Sequence, residues 1–143
     1  MQIVNNYYML KSHLSDLKKH LGIEFIEGKN ESTGYYILYI PQNQEIWIKE
    51  KENIIYFKSI ITTLDIPANR EDFFIYLMKA NFLGQGTGGS IISIDPDEKF
   101  FYLSLCITYD INYKIFRDKL EDFTNYLDYW RSELKRLIVV DIK

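Results

Sequence analysis

One cysteine, three prolines and two histidines are all that 143 residues hold of those types, and each scarcity removes a class of protein. A lone Cys106 excludes an internal disulfide framework and suits a reducing compartment. His13 and His20 stand seven apart, too far for one metal ion, and no carboxylate–histidine pattern such as H-E-x-x-H exists. Both are expected at solvent-facing or rim positions. No apolar run approaches the roughly 18 residues of a membrane-spanning helix, so no membrane insertion is expected. The opening "MQIVNNYYML" has no basic region, no long apolar core and no small-residue cleavage site, and is not expected to be a secretory signal. Without export, the acceptor pattern Asn30-Glu31-Ser32 reads as accidental. A basic excess is lacking too: 17 Lys and Arg face 20 Asp and Glu, for a net charge of −3. No nucleic-acid partner is expected.

What is present is a globular composition, 47% hydrophobic and 26% charged, fitting one domain over residues 1–143. Aromatic residues reach 16%, more large apolar surface than a small monomer needs, which points to a partner or a second subunit.

The periodicity predicts an order α-β-β-β-α-β-β-α. A first helix, capped by Asn5 or Asn6, carries Tyr7, Leu10, Leu14, Leu17 and Leu21 on one stripe and ends at Gly22. "YYILYI" (Tyr35 to Ile40), "EIWIK" (Glu45 to Lys49) and "NIIYFKSIITTL" (Asn53 to Leu64) alternate with period two, and their short links favour an antiparallel meander. Asn69 caps a second helix whose Phe73, Phe74, Ile75, Tyr76, Leu77, Met78 and Ala80 are apolar nearly all round. Such a helix must be buried on more than one side, most simply against the sheet and another subunit. "GSIISID" and "KFFYLSLCITYD" form a hairpin around "DPDEK". A last helix begins near Asp110 or Asn112 and keeps a near-heptad stripe from Phe116 through Leu137, leaving the tail "IVVDIK" unassigned. The fold class expected is α+β: a twisted antiparallel sheet with helices packed on it, in a dimer.

Gly84, Gly86 and Gly89 match the dinucleotide pattern G-x-G-x-x-G, but in the wrong context. A phosphate-binding loop follows a strand and opens a helix, whereas here a helix ends and a strand begins. Gly84 reads as the residue that closes the helix. Cys106 lies mid-strand, where burial explains it better than nucleophilic chemistry. Asp95, Asp97 and Glu98 lack the spacing of a calcium loop and read as a solvated turn. Glu71 and Asp72 suit the positive end of a helix. No catalytic residue, cofactor site or metal site is assigned.

Between Leu64 and Leu134 the parts stand in a telling order. A helix ends in Leu77, Met78, Ala80 and Asn81; a glycine-bearing loop follows, then a strand with Ile94-Asp95, a second strand, and a helix whose aromatic seam reaches Trp130. This arrangement resembles the class I chaperones of bacterial type III secretion, and the order of elements agrees over nearly the whole chain. The resemblance implies a cytoplasmic, non-enzymatic protein that binds the extended N-terminal segment of one or more secreted effectors and keeps it export-competent without ATP. It implies a homodimer built on the second helix and the strand after it, through Phe74, Leu77, Met78, Asn81, Phe82 and Ile92. Pairing with a different chaperone is left open. The effector surface it suggests is Leu10, Leu14 and Leu17 beside Ile37, Tyr39, Ile46 and Ile48, residues that core packing explains equally well. The alternatives are a small α+β enzyme or ligand-binding domain, which would need a polar constellation, and a regulatory adaptor on the same fold.

Overall fold

The structure is a computed structural model that describes residues 9–28, 34–42, 44–108 and 110–140. The expected helix cap at Asn5 or Asn6, Tyr7 of the first stripe, and Asn30-Glu31-Ser32 lie outside the described residues. Helix α1 spans Met9–Leu21. Gly22 closes it at φ 67°, where its amide bonds the Lys18 carbonyl at 3.0 Å. Strands β1 (Glu24–Glu27), β2 (Tyr36–Ile40), β3 (Gln44–Lys51) and β4 (Ile54–Thr63) follow. Next come helix α2 (Arg70–Asn81), a 3-10 turn (Phe82–Gly84), β5 (Ile91–Ile94), β6 (Phe100–Ile107) and helix α3 (Tyr113–Val140).

The α+β class stands, with one strand more than the sequence predicts. β1 is only "EFIE", mostly exposed, and too short to show an alternation. It exists because β2 pairs with it antiparallel from Glu24 opposite Tyr39 to Glu27 opposite Tyr36. The six strands stand in the order β1-β2-β3-β4-β6-β5. Between β3 and β4, Glu52 and Asn53 both take positive φ (53° and 65°), the two-residue turn whose twist matches paired strands. Asn112 caps α3 by accepting the Ile115 amide at 2.9 Å. That helix then runs on through Val140, so the first residues of the unassigned tail are helical.

Cα packing divides the chain into two compact units, Met1–Lys58 with Cys106–Glu121, and Ser59–Leu105 with Asp122–Lys143. β4, β6 and α3 each contribute residues to both. In the first unit, Leu10, Leu14 and Leu17 of α1 are withdrawn from water, as are Leu38, Ile46, Ile48, Ile55 and Phe57 of the strands. Phe116 of α3 meets Phe57 edge-on at 5.7 Å. Glu50 of β3 accepts the Leu10 amide at 3.0 Å, giving the first turn of α1 an anion that its own sequence does not supply there. In the second unit, Phe73 and Leu77 of α2, Phe101 and Leu103 of β6, and Phe123, Leu127, Trp130 and Leu134 of α3 are buried.

Candidate partner-binding surfaces

Strand alternation gives the sheet of the first unit two unlike faces. Leu38, Ile46, Ile48, Ile55 and Phe57 occupy the inner one. On the outer face, pairing sets Ile26, Ile37, Trp47 and Lys58 in one row across four strands. Glu24, Tyr39 and Glu45 form a row on one side of it, and Lys49 and Tyr56 pair on the other. The side chains interlock. The Lys58 ammonium lies 4.5 Å from the centre of the Tyr35 ring and 4.9 Å from that of Trp47. The Lys49 ammonium lies 4.9 Å from Tyr35 and 5.4 Å from Tyr56. Tyr35 and Trp47 meet edge-on at 5.7 Å. The electron-rich ring faces attract the cations, and the rings and lysine stems half-bury one another.

Of the residues suggested for effector binding, Leu10, Leu14, Leu17, Ile46 and Ile48 are at most 2% exposed and Ile37 9%, while Tyr39 is 42% exposed. The structure therefore brings five of them into the interior and places Ile37 and Tyr39 on the outer face. The aromatic–lysine cluster beside them was not singled out from the sequence. Its signal is parity: Tyr35, Trp47, Lys49, Tyr56 and Lys58 stand out of phase with the buried Leu38, Ile46, Ile48, Ile55 and Phe57 of the same strands.

The second unit exposes apolar residues of another kind. Of the residues suggested for a dimer interface, Leu77 and Ile92 are buried, Phe74 and Asn81 half-buried, and Met78 and Phe82 exposed. Reasoning from the sequence missed Leu83, which is 81% exposed and held at φ 54°, and it missed Ile91 on the edge strand. Asn81 has a definite task. Its side chain donates to the Ile92 carbonyl at 2.9 Å and accepts the Ile92 amide at 2.8 Å, occupying the β5 backbone like a one-residue strand.

The glycine loop is folded tightly on itself. A side chain on Gly84 would lie 2.6 Å from the Gly89 Cα, and one on Gly88 would collide with the Tyr126 ring. The Gly86 amide bonds the Ala80 carbonyl at 2.9 Å, and the Trp130 indole donates to the Gly86 carbonyl at 2.9 Å. The Thr87 hydroxyl donates to the Ser90 carbonyl. Beside the loop lies a cavity of about 450 Å³ lined by Tyr76, Lys79, Ala80, Gln85, Gly86, Tyr126, Tyr129 and Trp130. Tyr76 donates to Glu133 at 2.9 Å, and Arg136 pairs with the same carboxylate. Burial, then the Glu133 hydrogen bond, pushes the Tyr76 hydroxyl well above its ordinary value. The Arg136 guanidinium, then Tyr76, holds Glu133 below its own, against the opposing effect of burial.

The remaining polar candidates have structural tasks. His13 is buried, contrary to the rim position expected for it: its ring stacks on Phe116 at 5.1 Å and its Nε2 lies 3.1 Å from the Ile111 carbonyl oxygen. An aromatic seat and one carbonyl are enough to satisfy an imidazole in the interior. His20 is exposed, edge-on to Tyr113. Cys106 is exposed, not buried, because strand parity turns it away from Ile107. The Asp95 carboxylate accepts the Lys99 and Phe100 amides at 2.7 Å each, which organises the β5–β6 turn. Those amides, chiefly that of Phe100, hold its pKa low. Among the described residues no three His, Cys, Asp or Glu side chains converge as metal ligands. Nor is any helix among them long and apolar enough to cross a membrane.

No curated protein matches the sequence significantly. Solved structures do resemble the fold. The HopA1-SchA chaperone-effector complex contains a chain with a TM-score of 0.64 and 10% identity, covering 90% of this chain and 97% of that one. The ExsC-ExsE complex gives 0.67 and 12%, covering 90% and 92%. YbjN, described as a putative transcription regulator from E. coli, gives 0.61 and 14%, covering 89% of each chain. At such identities these likenesses establish the fold alone. The family model of the Tir chaperone proteins matches residues 12–131, most of the sequence and nearly every element described above, and the chain belongs to the Tir chaperone protein (CesT) family.

Proposed function

We propose that this protein is a chaperone of type III secretion, which binds the N-terminal segment of one or more secreted effectors in the bacterial cytosol and keeps it extended for export. The observation that carries this reading is the family match over residues 12–131. The likeness to a chain of the HopA1-SchA chaperone-effector complex supports it. Holding an extended segment is a matter of binding, through main-chain pairing at a sheet edge and apolar side chains in surface depressions, and it requires neither ATP nor a catalytic residue. β1, at one edge of the sheet, offers such an edge, while Asn81 occupies the backbone of β5 at the other.

The active form is a homodimer joined through the outer side of α2 and the 3-10 turn. Met78, Phe82 and Leu83 are large apolar side chains left bare close together along the chain, and exposed apolar patches of this kind mark interaction sites. Pull-down with the tagged protein from a type III-secreting bacterium, followed by mass spectrometry, tests the function. A secreted protein retained through its N-terminal region is expected, and its loss on deleting that region confirms the site. Capture of a small metabolite, or of proteins never secreted, overturns the reading. Light scattering tests the assembly, with a mass about twice the 17.1 kDa chain expected.

A further inference from the structure

The lysine-capped aromatic cluster lies on the outer sheet face, on the side opposite the core residues Leu38, Ile46, Ile48, Ile55 and Phe57. Tyr35, Trp47 and Tyr56 present three large rings on neighbouring strands, and two ammonium groups lie over them. Both cations lie against one ring, at 4.5 and 4.9 Å from the Tyr35 centroid, in a chain whose net charge is −3. With Glu24 and Glu45 in the row on the far side of the face, the two ammonium groups give the opposite side a positive end, where electrostatic complementarity would seat a partner's negative charge. In the row that Lys58 ends, the other three members, Ile26, Ile37 and Trp47, are apolar, and the Lys58 ammonium leans from it over the Tyr35 ring.

We infer that this face docks an extended acidic stretch of the partner polypeptide, placing an apolar side chain on the Ile26–Ile37–Trp47 row and a carboxylate two residues further on against Lys49 and Lys58. The inference rests on the effector-binding reading above and specifies the chemistry of the segment bound. Residues i and i+2 of an extended chain lie on one face about 7 Å apart, which is the spacing between neighbouring rows of the sheet itself. Single-stranded nucleic acid is the competing occupant of an aromatic sheet face, since bases stack on rings. Here the ammonium groups already stand over the ring faces that bases would need. A carboxylate meets those groups without displacing them.

The test uses the intact protein and three probes: a twelve-residue Leu–Glu peptide repeating Leu-Ser-Glu-Ser, which sets Leu and Glu two residues apart on one face, its Leu–Lys counterpart repeating Leu-Ser-Lys-Ser, and a twelve-nucleotide oligothymidylate. Calorimetry at low salt is expected to show the Leu–Glu peptide binding at least tenfold tighter than the other two, with the preference shrinking at high salt. The double variant Lys49→Gln/Lys58→Gln is expected to lose about tenfold for the acidic peptide alone. Lys49→Arg/Lys58→Arg, folded to the same circular dichroism spectrum, retains binding. Equal affinity for the two peptides, tighter binding of the oligonucleotide, or indifference to the double Gln variant overturns the inference. The secreted partner separates the two levels. If the double Gln variant captures it as well as the parent does, the acidic-segment site is wrong and the chaperone reading stands. If the parent captures no secreted protein, the chaperone reading itself falls.

Discussion

Helices α1 and α2 are nearly the same length, 13 and 12 residues, yet one is finished within its unit and the other is not. α1 sorts its residues up to its last turn: Leu10, His13, Leu14 and Leu17 are buried, Lys11, Ser15, Lys18 and Lys19 face water, and only Leu21, expected on the stripe, ends exposed. α2 does not sort them. It buries Phe73 and Leu77 and leaves Ile75 and Met78 exposed, with Phe82 and Leu83 following. Segregation of apolar from polar residues on a helix tells whether the chain's own core completes it. A helix apolar all round has further surface to bury, and in α2 that surface is bare.

The contrast breaks most sharply with the largest effect. Leu14→Ala in α1 removes buried methyl groups and leaves a cavity, and is expected to cost about 2–5 kcal/mol in urea unfolding. Met78→Asp in α2 is expected to leave the unfolding of the isolated protomer within about 0.5 kcal/mol. The same change should move the elution volume from dimer to monomer, because a dimer seam would bury its charge unpaired. If Met78→Asp destabilises the protomer as much as Leu14→Ala does, α2 is already covered and the contrast fails.

A smaller effect sharpens the comparison at the end of α2. Asn81→Ala strips the partners from the Ile92 amide and carbonyl, and is expected to cost about 1–3 kcal/mol. Amide exchange at Ile92 should quicken with it. Asn81→Asp keeps the acceptor and loses the donor, so its cost should fall between those of Ala and the parent. An Asn81→Ala variant that unfolds and exchanges like the parent would mean the side chain does not hold the edge strand.

How much of this was legible depended on whether a local pattern carried it. The meander β2–β3–β4 and the stripe of α1 were readable because burial repeats with periods of two and about 3.6. β1 was not, since four residues paired by their neighbour need no pattern of their own. His13 sits on the α1 stripe beside Leu14 and Leu17, but its polarity argued for the rim, and only Phe116 and the Ile111 carbonyl, far along the chain, explain its burial. The partner surfaces were partly hidden because Leu and Ile serve core and groove alike. Ile46 and Ile48 belong to the core, and the outer face is distinguished by Trp47 and Lys49 between and beside them. Phase within the strand separates them; residue type does not.

The gentlest probe of the α2 side is pH, through Tyr76, Glu133 and Arg136. Glu133 is held below its ordinary 4.5, first by Arg136 and then by Tyr76, so the folded state favours its anion. That stability is present above pH 4.5 and is lost as the pH falls through the lowered folded-state value. Tyr76 is shifted upward from 10.0, by burial first and then by Glu133, so the folded state favours the neutral phenol. Its share is intact below pH 10.0 and is lost as the pH rises through the raised value. Urea midpoints should therefore be level in between and decline on both sides. Tyr76→Phe should flatten the alkaline decline only in part, because Tyr36 and Tyr102, raised chiefly by burial, lose their own stabilised phenols as the pH rises. Glu133→Gln should flatten the acid decline only in part, because Asp95, held low by the Phe100 and Lys99 amides, loses its own stabilised anion over the same acid range. Asp95→Asn combined with Glu133→Gln should then remove most of what remains, and an unchanged acid decline in that double variant would locate it elsewhere in the protein.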